Sequence, residues 1–202
     1  MAPRLTEAAV SNTNQVIGPS TDEDVMQGVY IKQFVDEELG NASYLIASEA
    51  TGLAAVIDPW RDVDAYLQTA DGLGLKLDLV LDTHLHADFI SGGLELRHKL
   101  AWINLGASSD AHMAHAHRPL VHGDRLSLGD VSLQVLATPG HSLEHVSYVL
   151  STDRPGNSPC VFSGGALIVG GVGRSDLQGP HLAPALASAQ HHTLQERFLT
   201  MA

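Results

Sequence analysis

The sequence predicts a layered α/β protein built as one large domain, and three observations predict it. Short apolar runs bounded by turn residues recur from residue 29 onward, two stretches of helical spacing are interleaved among them, and 202 residues that are 44% hydrophobic suffice for a buried core. Residues 28–202 are expected to form that domain. Residues 1–27 are rich in Ser, Thr, Asn, Asp and Glu and hold no apolar run of signal-peptide or membrane-helix length, so a flexible leader is expected there.

The elements follow in order. VYIKQF at 29–34, ASYLIA at 42–47 and LAAVID at 53–58 read as strands of a meander, turning at Gly40 and Asn41 and again at Thr51 and Gly52. Asp58 followed by Pro59 stops the third strand. Val63, Tyr66, Leu67 and Ala70 then fall at helical spacing until Gly72 and Gly74 end the helix. A buried strand is expected over 77–81, a helix over 93–100 and a short strand over 102–105. A hairpin is expected over 126–136, turning at Gly129 and Asp130, with strands over 145–150 and 160–163 and a helix near 192–201.

Charge and cysteine usage narrow the partners. With 23 acidic and 11 basic residues the formal net charge is -12, which repels phosphate backbones and anionic lipid, so neither nucleic acid nor a membrane surface is an expected partner. Cys160 is the single cysteine. No internal disulfide can form, and a cytoplasmic location fits better than a secreted one. Cys160 itself reads as a small buried hydrophobe.

The chemistry begins where DTHLHAD follows the apolar run ending at Leu81. His84 and His86 lie two apart at a strand end, and residues two apart in extended backbone project to the same side. Two imidazoles held this way are a ready pair of ligands for zinc or iron. Asp88, two further on, can add a carboxylate as a catalytic proton acceptor. Thr138, Pro139, Gly140 and His141 close a later strand, and a Pro-Gly turn there presents His141 as a third nitrogen ligand from a distant segment. His98, His122 and His181 read as structural, and His112, His115 and His117 as part of a polar surface segment.

THLHADFISG, LATPGHSLEHVSYVL and FSGGALIVGGVGRSDL, in that order and spacing, resemble the metallo-β-lactamase superfamily, and within it the persulfide dioxygenase branch. The resemblance covers roughly residues 29–201 and includes IDPWRDVDAYL. It implies a four-layer αββα sandwich of two packed sheets with helices outside. It also implies a non-haem Fe(II), with Zn as the alternative, that takes a small-molecule thiol persulfide such as glutathione persulfide together with dioxygen, releasing sulfite and the thiol. A homo-oligomer is compatible with it. Asp58 corresponds to an aspartate behind the metal loop, where a carboxylate orients a ligand or holds backbone amides. Arg174, in GVGRSD, corresponds to an arginine that helps hold substrate; an exposed loop arginine paired with a neighbouring aspartate is the other reading.

Three departures separate this chain from the family pattern. Where the pattern is Thr-Gly-Asp, with the aspartate as the anionic iron ligand, this sequence has Ser163, Gly164 and Gly165, so weaker metal affinity is expected. Phe89 stands where two-metal hydrolases of the superfamily carry a histidine, so one ion per chain is expected. The chain stops after the expected helix near 192–201, where the family continues into a strand and a further histidine, so a C-terminally incomplete domain with a gap in the second sheet is expected. The metal site is accordingly placed on His84, His86 and His141. Three functions follow: a sulfur-oxidising dioxygenase, a glyoxalase II-like thioester hydrolase, or a non-catalytic relic.

Overall fold

The computed structural model describes residues 26–201. The expected leader therefore lies outside the described residues except for Met26 and Gln27. Met26 is buried against the core, and the Gln27 amide donates to Asn157 Oδ1 at 2.9 Å.

Among the described residues ten strands form two sheets. The chain enters as the antiparallel meander that its turn residues predict, β1 (Val29–Asp36), β2 (Asn41–Ser48) and β3 (Leu53–Ile57). Parallel strands β4 (Lys76–Leu81), β5 (Asn104–Ser108) and β6 (Arg118–Leu120) then extend the same sheet. The second sheet is antiparallel throughout, with β10 (Cys160–Phe162), β9 (Val146–Thr152), β8 (Val131–Ala137) and β7 (Arg125–Ser127) side by side in that order.

Strand alternation sorts the core into two layers. Leu45, Ala47, Ala54 and Val56 face outward to α1 (Asp64–Gly72) and α2 (Gly93–Lys99), where Val63, Tyr66 and Leu96 complete the packing. Ile46, Ala55, Ile57 and Leu81 face inward and meet Leu133, Val135, Tyr148 and Phe162 of the second sheet. Each of the Val, Leu, Ile and Phe side chains among them contributes roughly 1.5–3 kcal/mol by leaving water, the alanines less. On the far side α3 (Ala183–Thr193), prolonged by a π-type turn Leu194–Phe198, docks through Gln190 on the Ala166 carbonyl and Thr193 Oγ1 on the Pro139 carbonyl at 2.8 Å. The layer order is helix, sheet, sheet, helix, the αββα sandwich that the resemblance implies.

Three elements differ from the sequence expectation. The strand expected over 102–105 is shifted to β5, because α2 closes at Leu100 and Trp102 is spent on a turn, its indole donating to the Leu77 carbonyl at 3.1 Å. β6 has no apolar period of its own and exists by pairing with β5. α3 starts at Ala183, well before residue 192, since APALASAQ is a good helix former that lacks a strong apolar stripe.

The carboxyl ends of β3 and β4, the turn between β8 and β9, and the loop after β10 meet at one edge of the sandwich. Two hydrogen bonds join the sheets there, from the Val146 amide to the Thr83 carbonyl at 2.8 Å and from the Tyr148 hydroxyl to the Asp82 carbonyl at 2.7 Å.

Candidate metal centre

The edge where the two sheets meet gathers three imidazoles from both. His84 and His86 leave the end of β4 with ring centroids 4.2 Å apart, and His141, from the Pro-Gly turn after β8, places its ring 4.8 Å from that of His84.

One nitrogen of each ring is held by the protein, and the partners fix which. Thr83 Oγ1 gives its proton to Asp58 Oδ2 at 2.8 Å, so its contact with His84 Nδ1 at 2.8 Å makes that nitrogen the donor. His86 Nε2 donates to Asp58 Oδ1 at 3.1 Å, and His141 Nδ1 donates to the Arg174 carbonyl at 2.8 Å. That leaves lone pairs on His84 Nε2, His86 Nδ1 and His141 Nε2, none of which is hydrogen-bonded among the described residues. An oxygen behind each ring, the Thr83 hydroxyl for His84, the Asp58 carboxylate for His86 and the Arg174 carbonyl for His141, is the kind of arrangement that orients imidazoles for a metal.

Asp58 supports this loop. Its backbone sits in the left-handed region (φ 51°), which is strained for a non-glycine residue, and it is 5% exposed. Its oxygens also take the Thr83 amide at 2.7 Å. Burial raises its pKa, but the opposing pull of His86, His84 and Thr83 is larger and holds it below the usual carboxylate range. The same partnership lifts His86 against its burial. Burial and the neighbouring His86 push His84 down to about 4. Asp82, buried beside Asp58 and bonded to Ser91 Oγ at 2.7 Å, is raised to about 7 by burial and by the charge of Asp58. Asp58, Asp82 and His86 offer ligand atoms within 4.8 Å of one another. Asp58 has already committed both oxygens, so the three imidazoles form the better donor set.

The second-sheet side of the site rests on glycines. A Cβ at Gly165 would stand 2.7 Å from His141 Cγ and 2.9 Å from its Nε2, and one at Gly173 would stand 2.6 Å from Nδ1, so the ring lies in a slot that only two glycines leave open. The space a Gly165 side chain would enter is filled by the ring of His141.

Asp88 and Arg174 sit at the rim. Asp88 is exposed and accepts from Asn41 Nδ2 at 2.8 Å; despite desolvation, that bond and the nearby imidazoles lower its pKa. The exposed Arg174 guanidinium is paired with Asp176 at 2.6 and 2.8 Å, while its carbonyl serves His141. Phe89 packs its ring 4.1 Å from that of His86.

One buried histidine escaped sequence reasoning. His145, at the head of β9, is 1% exposed and stacks on His84 at 4.9 Å and 23°. Its Nδ1 contacts Thr138 Oγ1 at 2.8 Å and its Nε2 is buried with no partner among the described residues. Burial pushes its pKa well down, so it is neutral. The signal was the turn that pairs Thr138 with His145, whose amide and carbonyl are 2.9 Å apart, and that register is not readable from the local residues.

Three imidazoles whose unheld ring nitrogens converge from two sheets fit a divalent transition metal, iron or zinc, with positions left for substrate. They supply no negative charge of their own.

No family model matches the chain. Among curated proteins it is 30% identical over 182 residues to the mitochondrial persulfide dioxygenase ETHE1 of Mus musculus, covering 86% of this chain and 64% of that one. It is 35% identical over 135 residues to the hydroxyacylglutathione hydrolase of Rhodospirillum rubrum, covering 66% of this chain and 50% of that one. The chain thus spans about half the length of the hydrolase relatives it matches. Among solved structures, ETHE1 from Myxococcus xanthus superposes with a TM-score of 0.74 at 36% identity, covering 86% of this chain and 71% of that one. A metallo-β-lactamase from Staphylococcus aureus superposes at 0.75 with 34% identity, covering 84% and 52%.

Proposed function

The chain belongs to the metallo-β-lactamase superfamily, and from that premise we propose that it is a one-metal persulfide dioxygenase. In that reaction a thiol persulfide, dioxygen and water give the thiol, sulfite and two protons. The observation that carries this reading is Phe89, whose ring lies 4.1 Å from that of His86 where two-metal hydrolases of the superfamily carry a ligand. A phenyl ring donates nothing to a second ion, and a single-ion site suits oxidation by one metal better than two-metal hydrolysis.

His84 Nε2, His86 Nδ1 and His141 Nε2 would hold the ion, with Asp58 and Thr83 orienting the first two rings and the Arg174 carbonyl the third. When bound, iron(II) would supply open coordination positions and the electrons that activate dioxygen. Phe89 and Leu85 give the site an apolar wall beside His84 and His86. Asp88, ionised at the rim, is placed to accept a proton, and Arg174 to meet an anionic sulfur once it leaves Asp176. A cytoplasmic location belongs to the same proposal; among the described residues no helix is long and apolar enough to cross a membrane.

Thioester hydrolysis is the second reading, favoured by the similarity to the hydroxyacylglutathione hydrolase. The test is elemental analysis of purified protein together with oxygen consumption on a persulfide and, in parallel, thiol release from a hydroxyacylglutathione. We expect one iron per chain and persulfide-dependent oxygen uptake that His141→Ala abolishes. Two ions per chain with hydrolysis and no oxygen uptake would replace the first reading by the second.

A further inference from the structure

Beside the imidazoles a cleft of about 270 Å³ opens between the HADFIS loop, α2 and the loop after β5. His84 and His86 form one end. Leu85, Phe89, Ile90, Leu94 and Met113 supply apolar wall, and His115 lines it too. Leu85, Ile90 and Leu94 are 48%, 63% and 46% exposed, an apolar surface that costs free energy in water until something covers it. The volume lies at the small end of small-molecule sites.

From this cleft we infer the substrate class: it seats the organic body of an apolar, uncharged thiol, so that an alkyl or aryl persulfide fits this site better than a peptide thiol. The inference rests on the dioxygenase reading for the word persulfide, and it departs from the glutathione carrier that the resemblance implies.

Charge decides between the two bodies. Among the described residues no Lys or Arg lines the cleft, and the one carboxyl that does, Asp82, is buried. A peptide thiol would bring two carboxylates to a wall without a cation, on a chain of net charge -12. Arg174, across the site, is occupied by Asp176. His115 offers a different contact. Its Nε2 is buried and has no hydrogen-bond partner among the described residues, and burial, helped by Arg97 and His117, holds its pKa below the ordinary imidazole range. A neutral imidazole on an apolar wall suits a hydroxyl or carbonyl on the ligand, not a carboxylate.

The test is calorimetric binding of a linear alkanethiol series, ethanethiol to hexanethiol, to the full chain in one fixed metal state, with glutathione as the peptide probe. The sulfur end is constant, so the change with chain length reports the wall alone. Affinity is expected to rise about fourfold per added methylene until the cleft is full, and glutathione is expected to bind more weakly than hexanethiol. Ile90→Asp combined with Leu94→Asp should flatten the series, and Ile90→Ser alone, at an exposed position, should reduce its slope without perturbing the fold. A flat series with the parent protein, or glutathione binding as tightly as hexanethiol, would overturn the inference. The two readings fail separately. A steep series without oxygen uptake on any persulfide removes the dioxygenase and keeps the cleft; uptake on glutathione persulfide with a flat series does the reverse.

Discussion

The first sheet holds its part of the site by buried charge, the second holds its part by missing side chains. His84 and His86 are backed by Asp58, a strained and buried carboxylate that spends every oxygen on Thr83 and His86. His141 has one backbone carbonyl behind it and glycines on either side. Strong pairing in a dry place fixes these two imidazoles whether or not a metal is present. The third depends on space, and the residue that departs from the family pattern, Gly165, lies where that space is set.

The largest expected effect tests the buried half. Asp58→Ala leaves the Thr83 amide and hydroxyl and the His86 ring without their acceptor, and breaking such a buried pair costs about 3–5 kcal/mol. Denaturant unfolding should show it. A loss under about 1 kcal/mol would mean that the first half is no better anchored than the second.

Next in size is His141→Ala, which should abolish bound metal in elemental analysis while moving the unfolding midpoint little, since the ring is only partly buried and has one hydrogen bond. Retention of a full equivalent of metal would shift the site onto Asp58, Asp82 and His86.

Gly165 sharpens the contrast further. Gly165→Ala pushes the His141 ring aside and offers no donor, so metal affinity should fall by about tenfold. Gly165→Asp displaces the same ring but brings an anionic oxygen, and it should bind more iron than the alanine variant and the parent, because a carboxylate adds attraction to a cation that three neutral rings lack. Equal affinity for the Ala and Asp variants would show that the half-site cannot be rebuilt at this position. The smallest effect is expected from Arg174→Ala. Its carbonyl, not its guanidinium, serves His141, so metal affinity should change by less than about twofold. A raised KM for substrate at unchanged metal content would give the guanidinium the substrate role that the resemblance implies.

Much of the first half was legible in the sequence, because its logic is local. HxHxD directly after a buried strand places two rings on one side, and VIDP announces a carboxylate at the neighbouring strand end. The second half was legible only in part. The Pro-Gly turn predicted His141, but His145 is buried by the pairing of β8 with β9, and the slot around His141 is made by Gly165 and Gly173 from other segments. β6 was invisible for the same reason, since three residues, one of them proline, carry no period and gain strand geometry from β5.

The bond from the Tyr148 hydroxyl to the Asp82 carbonyl spans 66 residues of sequence and crosses from one sheet to the other. Contacts of such separation carry a larger loop-closure cost than local ones, a cost that docking of the two sheets has to offset. Pinning of the loop that carries His84 and His86 is therefore expected among the last steps of folding, with His141 joining them no earlier. A nascent or partly unfolded chain presents scattered histidines with little hold on a cation, so capture of metal during refolding should trail the burial of tyrosine, and a metal-sensitive dye followed alongside intrinsic fluorescence would time the closing of the sandwich.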